Sequence, residues 1–176
     1  MIKHQHVYAL AFVALIGVGG TASAQPLNSP ETRAFMNATV TLSQAVAIGE
    51  KQGAGKSVGA EFDIELDRPL WEIKVLSATG LKEFKVDAAS GQVIRVEDEH
   101  LRGRLTNFVT GMNLKDLEAV KTTLAQAVTM AETQTKGKAV KVQVEHERGG
   151  VQFDVFMRVG DGVKKLRIDG TSGKVL

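Results

Sequence analysis

Residues 86–94 read VDAASGQVI, and the same pattern returns 82 residues later as IDGTSGKVL at residues 168–176. Each stretch runs from an apolar residue through an aspartate and a short polar turn to a glycine, and apolar residues follow within two positions. A glycine at the end of a turn supplies the positive φ angle that tight hairpins need. The repeated stretch therefore predicts hairpins of one kind in both halves of the chain.

The segments upstream of these hairpins repeat as well. TLSQAV at residues 41–46 returns as TLAQAV at residues 123–128, again 82 residues later. WEIKV at residues 71–75 matches VQFDV at residues 151–155 at an offset of 80. Length differences confined to turns are what a duplicated fold tolerates. We therefore predict two copies of one unit, residues 41–99 and 123–176, joined by a connector at residues 100–122.

Each copy has the pattern of a helix followed by strands. Thr41 with Gln44, and Thr123 with Gln126, form capping boxes that open helices, and glycines near residues 53 and 137 suit helix ends. Alternating apolar and polar residues then predict antiparallel strands with one covered face and one wet face. The fold class expected is α+β, with two repeats that each pack a helix on a small antiparallel sheet. The apolar strand positions include Val58, Ala60, Phe62, Ile64, Trp71, Ile73, Val75, Phe84, Val86, Val142, Val144, Val151, Phe153, Val155, Leu166 and Ile168.

The N-terminus has the features of a secretory signal. Lys3 precedes an uncharged, mostly apolar run at residues 7–20, and the small residues of Ala22-Ser23-Ala24 follow. The run is shorter than the roughly 20 apolar residues of a spanning helix. We expect a signal peptide at residues 1–24 with cleavage before Gln25, no membrane anchor afterwards, and a periplasmic or secreted protein. Residues 25–40 lack a clean period and are expected to be a flexible lead-in.

Composition argues against several classes of function. The chain has no cysteine, and only His100 and His146 follow the predicted cleavage point. That inventory is poor for acid–base catalysis at neutral pH. Residues 41–99 carry a net charge of −4 and residues 123–176 a net charge of +3. Neither value indicates nucleic-acid binding, which favours a clustered basic stripe.

The repeats resemble PepSY domains. The resemblance rests on the Leu-x-x-Ala-Val helix start, the WEIKV strand and the closing Val-Asp-Ala-x-Ser-Gly-x-Val-Ile hairpin. The second copy departs from it at Val151, where the first has Trp71, and at Gly170, where the first has Ala88. The resemblance implies a cystatin-like fold found in propeptides of secreted metallopeptidases and in stand-alone envelope proteins. In propeptides the domain is associated with inhibiting or chaperoning the peptidase, and the family supplies no catalytic residues to transfer.

Four local features of the sequence are candidate functional sites. Residues 53–57, GAGKS, resemble the end of a phosphate-binding loop, but Glu50 stands where the first glycine belongs and the helix precedes the strand. The carboxylates of Glu61, Asp63, Glu65 and Asp67 suggest either a site for Ca²⁺ or a basic peptide, or ion pairs with Lys74 and Lys85. The ion pairs are favoured, because strand alternation spaces side chains about 6.6 Å apart while calcium sites use curved loops.

Two of the features involve histidine. Residues 97–100, Glu-Asp-Glu-His, could hold a divalent cation, but no second cluster supports them. His146 stands in the position of Ile64 and is expected to be a partly buried structural residue. We therefore predict no catalytic, cofactor-binding or metal-ligating residues, and no cofactor.

The function expected is that of a non-enzymatic exported protein that binds other proteins and inhibits or regulates a peptidase. The partner would be a secreted or periplasmic peptidase or another envelope protein, and the sequence leaves the oligomeric state open. The alternative is an envelope protein that responds to a small molecule or a divalent cation through the acidic strand.

Overall fold

The computed structural model describes residues 29–98, 114–147 and 150–176, which form an α+β fold. Its helices pack on an antiparallel sheet. In chain order the elements are α1 (Pro30–Met36), α2 (Leu42–Gly53), β1 (Lys56–Glu65), β2 (Arg68–Ser77), β3 (Gly80–Asp87), β4 (Val93–Asp98), α3 (Leu114–Ala119), α4 (Leu124–Thr135), β5 (Lys138–Glu147), β6 (Gly150–Val159) and β7 (Gly162–Asp169).

The strands form one seven-stranded antiparallel sheet in the order β4-β3-β2-β1-β5-β6-β7. The prediction that each half forms a small sheet of its own is therefore wrong, because the strands of both halves belong to one sheet. β1 and β5 pair at the centre, where Ala60 lies opposite Val142. The physical reason is that each would otherwise be an edge strand with unpaired N–H and C=O groups. Pairing these two strands leaves the joined sheet with two edges instead of four.

Helices α2 and α4 begin as the sequence predicts. Thr41 Oγ1 accepts a hydrogen bond from the Gln44 N–H while Gln44 Oε1 accepts one from the Thr41 N–H, and Thr123 and Gln126 make the same pair. Both helices end at a left-handed residue, which is Ala54 after α2. The next residue, Gly55, is required for lack of space and not for its φ angle. A Cβ at this position would lie 2.3 Å from the Leu76 carbonyl oxygen.

The helices cover one face of the sheet. α2 packs against β1, β2 and β3, α4 packs against β5 and β6, and the two helices contact each other. Trp71 and Phe153 lie on this covered face, with exposed fractions of 0% and 1%. The Trp71 ring meets Phe62 edge-on at 5.3 Å between centroids, and its Nε1 donates to the Val40 carbonyl oxygen at 2.9 Å. The buried indole thus has both apolar packing and a partner for its N–H.

The expectation of a flexible lead-in at residues 25–40 is wrong for residues 30–36, which form helix α1. Ser29 caps this helix, since its Oγ accepts a hydrogen bond from the Thr32 N–H at 3.0 Å. Phe35 is 4% exposed and packs edge-on against both Phe62 and Trp71. A helix of two turns has too few apolar positions to show a period, which explains the error.

A lysine from the second half holds the end of α1. Lys138 Nζ donates to the carbonyl oxygens of Phe35 and Ala38 at 3.0 and 3.1 Å. The same ammonium lies 5.1 Å from the centroid of the Phe35 ring. Phe35 lies in the last turn of α1, where carbonyl groups lack the i+4 partner of a helix interior, and Ala38 lies just beyond the helix. Burial lowers the pKa of Lys138.

Residues 114–119, within the predicted connector, form the short helix α3. α3 ends at Ala119 and does not run into α4. Its buried residue Leu117 stands 82 positions after Phe35, the offset of the repeat. The short leading helix therefore occurs in both halves, which the sequence patterns did not show.

Residues 1–24, the predicted signal peptide, lie outside the described residues. Within the described ranges no helix has the length and apolar character needed to cross a membrane.

Truncating the buried indole should cost substantial stability. We expect Trp71→Ala to lower the free energy of unfolding by about 3–5 kcal/mol, as removal of a buried aromatic ring does. Urea unfolding followed by circular dichroism measures this loss. Trp71→Phe is the matched control and should lose less, because it keeps a ring between α1 and β1. Native tryptophan fluorescence with the maximum of a water-exposed indole would contradict the buried placement.

Candidate functional site

The face of the sheet opposite the helices is lined with charged side chains from neighbouring strands. Three of the four carboxylates that the sequence placed on β1 point to this face, namely those of Glu61, Asp63 and Glu65. Asp67 lies beyond the end of β1, in a turn where its φ is +62°. β1 therefore ends two residues before Asp67 and carries three of the four carboxylates.

Glu65 is held by cations from two other strands. Its Oε2 accepts a hydrogen bond from Lys85 Nζ at 3.2 Å, and Arg95 Nη2 donates to its two oxygens at 2.6 and 2.7 Å. The hydrogen bond from Arg95 is the main reason why the pKa of Glu65 lies below its usual value. The predicted pairing of this strand with Lys85 is thus confirmed, and Arg95 is a further partner that the sequence analysis missed.

Glu61 pairs across the seam between the two halves. Its Oε2 accepts a hydrogen bond from Lys141 Nζ on β5 at 2.9 Å. The predicted partner Lys74 instead lies 3.7 Å from Glu83 on β3. Two β1 carboxylates are therefore neutralised, and among the described residues no three His, Asp or Glu side chains are placed to hold a metal ion. The geometry favours ion pairing over a Ca²⁺ site.

Lys85 is the centre of this charged cluster in the first half. It is only 7% exposed, and its ammonium lies 2.8 Å from Glu72, 3.2 Å from Glu65 and 3.7 Å from Glu83. Burial opposes its charge, but the hydrogen bonds with Glu72 and Glu65 outweigh that effect and raise its pKa. Removing one partner of so buried a cation is expensive, so the cluster has a structural role that accounts for its shifted pKa values.

Asp154 has the corresponding role in the second half. It is 3% exposed, and it accepts hydrogen bonds from Arg167 Nε at 2.6 Å and from Lys165 Nζ at 3.0 Å. Burial opposes its ionisation, but the two cations outweigh burial and hold the pKa of Asp154 below its usual range. One carboxylate thus accepts hydrogen bonds from two cations of the neighbouring strand.

The remaining sequence features have structural explanations. Residues 53–57 are a helix end and a strand start, because α2 ends at Gly53 and β1 begins at Lys56. Glu97 lies 2.8 Å from Arg95, and Asp98 lies 3.4 Å from Lys82. The other two members of that cluster, at positions 99 and 100, lie outside the described residues.

The expectation that His146 is a partly buried structural residue is wrong, since its side chain is exposed. It faces the same side as the buried Val144 and Val151, but it is the second-last residue of β5. Its position near the end of the strand leaves the imidazole open to solvent.

A cleft of about 580 Å³ lies beside the first turns of α2 and α4. It is lined by Ser43, Lys121, Thr122, Ala125, Gln126, Thr129, Met130, Ser172 and Gly173. Lys121 is the one ionisable side chain in this lining. Hydroxyls beside a single cation, with no neighbouring base, do not make a nucleophile–base pair. The cleft therefore offers contact surface and no evident acid–base chemistry.

The two edges of the sheet and one hairpin tip are the other open features. β4 forms one edge and exposes Ile94 and Val96 by 37% and 49%. β7 forms the other edge. Leu66, at the tip between β1 and β2, is 95% exposed and has a positive φ of 50°. These surfaces present backbone groups and apolar side chains, which suits contact with another polypeptide.

Comparison with known proteins finds a family model that matches part of the chain. The family model PepSY, described as peptidase propeptide and YPEB domain, matches residues 39–97. This range covers α2 to β4 apart from the last residue of β4, and it confirms the resemblance seen in the sequence. No curated protein matches the chain. A crystal structure of a putative lipoprotein from Clostridium difficile 630 is similar at 17% identity and a TM-score of 0.48, over 83% of this chain and 96% of that one.

Asp154 should make the protein sensitive to acid. Because its pKa is lowered in the folded state, its ionisation stabilises the fold at pH values above its unfolded pKa of about 3.9. This contribution is lost as the pH falls through the lowered folded pKa. Asp154→Asn should cost about 1.5–3 kcal/mol at neutral pH, the range for hydrogen bonds to charged groups.

Urea unfolding at a series of pH values tests this expectation. The stability difference between the natural protein and Asp154→Asn should shrink as the pH falls below about 4. Asp161→Asn is the control, since Asp161 is exposed on the neighbouring turn. A difference that stays constant down to the lowest pH would show that Asp154 does not stabilise the fold through its charge.

Proposed function

Since the chain contains a PepSY domain at residues 39–97, we propose that it is a non-enzymatic, exported protein-binding module that inhibits or regulates a peptidase. The observation that carries this proposal is the match to a family described by its occurrence in peptidase propeptides. The pKa shifts of the described carboxylates are consistent with the non-enzymatic part of the proposal, because they have structural causes. The carboxylates with a lowered pKa all accept hydrogen bonds within ion pairs or turns, as Asp87 does from Ser90.

The second half, residues 123–176, is proposed as a second unit of the same kind. Its support is the correspondence of structural details at the repeat offset. Ser90 N–H donates to Asp87 Oδ1 at 2.8 Å, and Ser172 N–H donates to Asp169 Oδ1 at 2.7 Å. Both halves thus close with the same side-chain-supported turn, beneath helices that begin with the same capping box.

Export to the periplasm or the exterior is part of the proposal and rests on the sequence of residues 1–24. Mass spectrometry of the exported protein should show Gln25 at or near the N-terminus. Retention of residues 1–24 would contradict this part.

The alternative of a cation-responsive envelope protein has less support, because Glu61 and Glu65 already form ion pairs with lysine side chains of the protein. Thermal unfolding with and without Ca²⁺ or Zn²⁺ separates the alternatives. We expect an unchanged melting temperature. A concentration-dependent rise would mean that the native state binds the metal, and it would favour the alternative.

Capture of a peptidase tests the main proposal. The mature chain, immobilised and folded, is incubated at low salt with the secreted and envelope proteins of its source. Low salt strengthens attraction between exposed charges. We expect a peptidase among the retained proteins, and we expect its activity to fall when soluble mature protein is added. The heat-unfolded protein is the control. Retention of no peptidase, or an activity that does not change on addition, would contradict the proposal.

A further inference from the structure

The turn between β1 and β2 has a backbone conformation that one of its residues disfavours. A two-residue loop, Leu66-Asp67, joins the strands, and Glu65 lies opposite Arg68 in the last pair of the ladder. Both loop residues have positive φ angles, of 50° and 62°. Such turns favour Asn-Gly or Asp-Gly, because these residues tolerate the left-handed region and a bulky side chain does not. Leu66 therefore occupies a strained position that asparagine would relieve.

Two other hairpins of the chain have glycine where the φ angle is positive. Gly80, at the turn between β2 and β3, has a φ angle of 123°, and Gly160, at the turn between β6 and β7, has one of 56°. A Cβ at either position would meet no atom within 4 Å, so conformation and not lack of space explains the glycine. Leu66 departs from this use of glycine.

The side chain of Leu66 is 95% exposed, more than any other large apolar residue in the described ranges. A single exposed leucine needs no explanation by itself. Here, however, one residue combines backbone strain with exposed apolar surface, and both oppose folding. Strained residues of this kind cluster at sites that bind ligands or partners. The combination therefore indicates a role for Leu66 in recognition.

Ion pairs hold both residues that flank the turn. On one side Glu65 is bound by Lys85 and Arg95, as described above. On the other side Arg68 Nε donates a hydrogen bond to Asp87 Oδ2 at 3.2 Å. The tip of the hairpin is thus positioned from both strands before any partner arrives. A contact that is already ordered loses less conformational entropy on binding.

We propose that Leu66 is the residue by which this protein binds its peptidase partner, with its side chain in an apolar pocket of that peptidase. Asp67 is exposed, and no cation in the described part of the chain pairs with it, so a basic residue at the rim of the pocket faces it. The left-handed backbone presents a protruding side chain and not an extended strand. This inference rests on the proposed function and names its contact residue and the chemistry of the pocket.

The strain is tested by thermal unfolding of the mature chain. Leu66→Asn should raise the melting temperature by about 2–4 °C, because asparagine tolerates the left-handed region. Leu66→Ala keeps a side chain that this region disfavours and should change the melting temperature less than Leu66→Asn does. A melting temperature that Leu66→Asn lowers or leaves unchanged would show that the turn is not strained, and it would overturn the proposal.

The contact is tested by inhibition of the peptidase that the natural protein captures. Leu66→Asn and Leu66→Ala should both weaken inhibition by at least about tenfold, as expected for a central interface residue. Leu66→Met keeps an apolar side chain and should stay within about threefold. Asp67→Asn should weaken inhibition by about two- to fivefold, with a smaller dependence on salt. The control Ala78→Asn changes the exposed tip between β2 and β3 and should have an effect within about twofold.

Photo-crosslinking locates the contact directly. A benzophenone amino acid in place of Leu66 should crosslink the natural-sequence background to the captured peptidase. The same amino acid in place of Ala78 should not, although that position is equally open on a hairpin tip. Crosslinks of equal yield from both positions would mean that the tip has no specific contact, and would overturn the proposal.

The outcomes separate this inference from the proposed function. Equal inhibition by the natural protein and Leu66→Asn would retain the proposed function and overturn the role of Leu66. Capture of no peptidase by the natural protein would overturn both. Two further results would assign the tip to another partner and overturn the inference: sedimentation with vesicles of phosphatidylethanolamine and phosphatidylglycerol, or association of the protein with itself, in either case abolished by Leu66→Asn.

Discussion

The pairing of β1 with β5 is the constraint on which the rest of the structure depends. Units of fewer than about 60 residues bury only a marginal core when they are alone. The pairing makes one sheet of seven strands and places α2 against α4 on its covered face. Two further contacts cross the same seam, since Lys141 pairs with Glu61 and Lys138 holds the end of α1. Each half therefore completes its core and its hydrogen bonds by means of the other.

The two halves solve the same electrostatic problem with opposite signs. In the first half Lys74 on β2 lies near Glu83 on β3, while the corresponding positions in the second half are Asp154 and Lys165. The exchange keeps an ion pair at this position but reverses the sign of the charged side chains around it. The first half surrounds the buried Lys85 with carboxylates, and the second half surrounds the buried Asp154 with cations. The opposite net charges of the halves thus reflect two versions of one ion-paired surface.

The features of the fold that could be predicted from the sequence are local ones. The capping boxes, the alternation of the strands and the closing turns each depend on residues within a few positions, and these elements formed where the patterns placed them. The pairing of β1 with β5 and the contact of Lys138 with α1 join residues about 80 to 100 positions apart, so no short pattern encodes them. Helix α1 was missed because two turns show no period, and the exposure of His146 depends on how far the helices extend over the sheet.

The candidate surface was harder to find for a different reason. Catalytic sites leave combinations of reactive residues in a sequence, whereas the tip between β1 and β2 carries a leucine and an aspartate, which occur throughout the chain. The apolar alternation of β1 continues from Ile64 to Leu66, and no glycine or asparagine marks the turn, so the pattern extends the strand beyond its end at Glu65. The positive φ angle of Leu66 and the exposure of its side chain belong to the folded hairpin. They become informative only when the conformation is known, because the same leucine on the covered face would be an ordinary core residue.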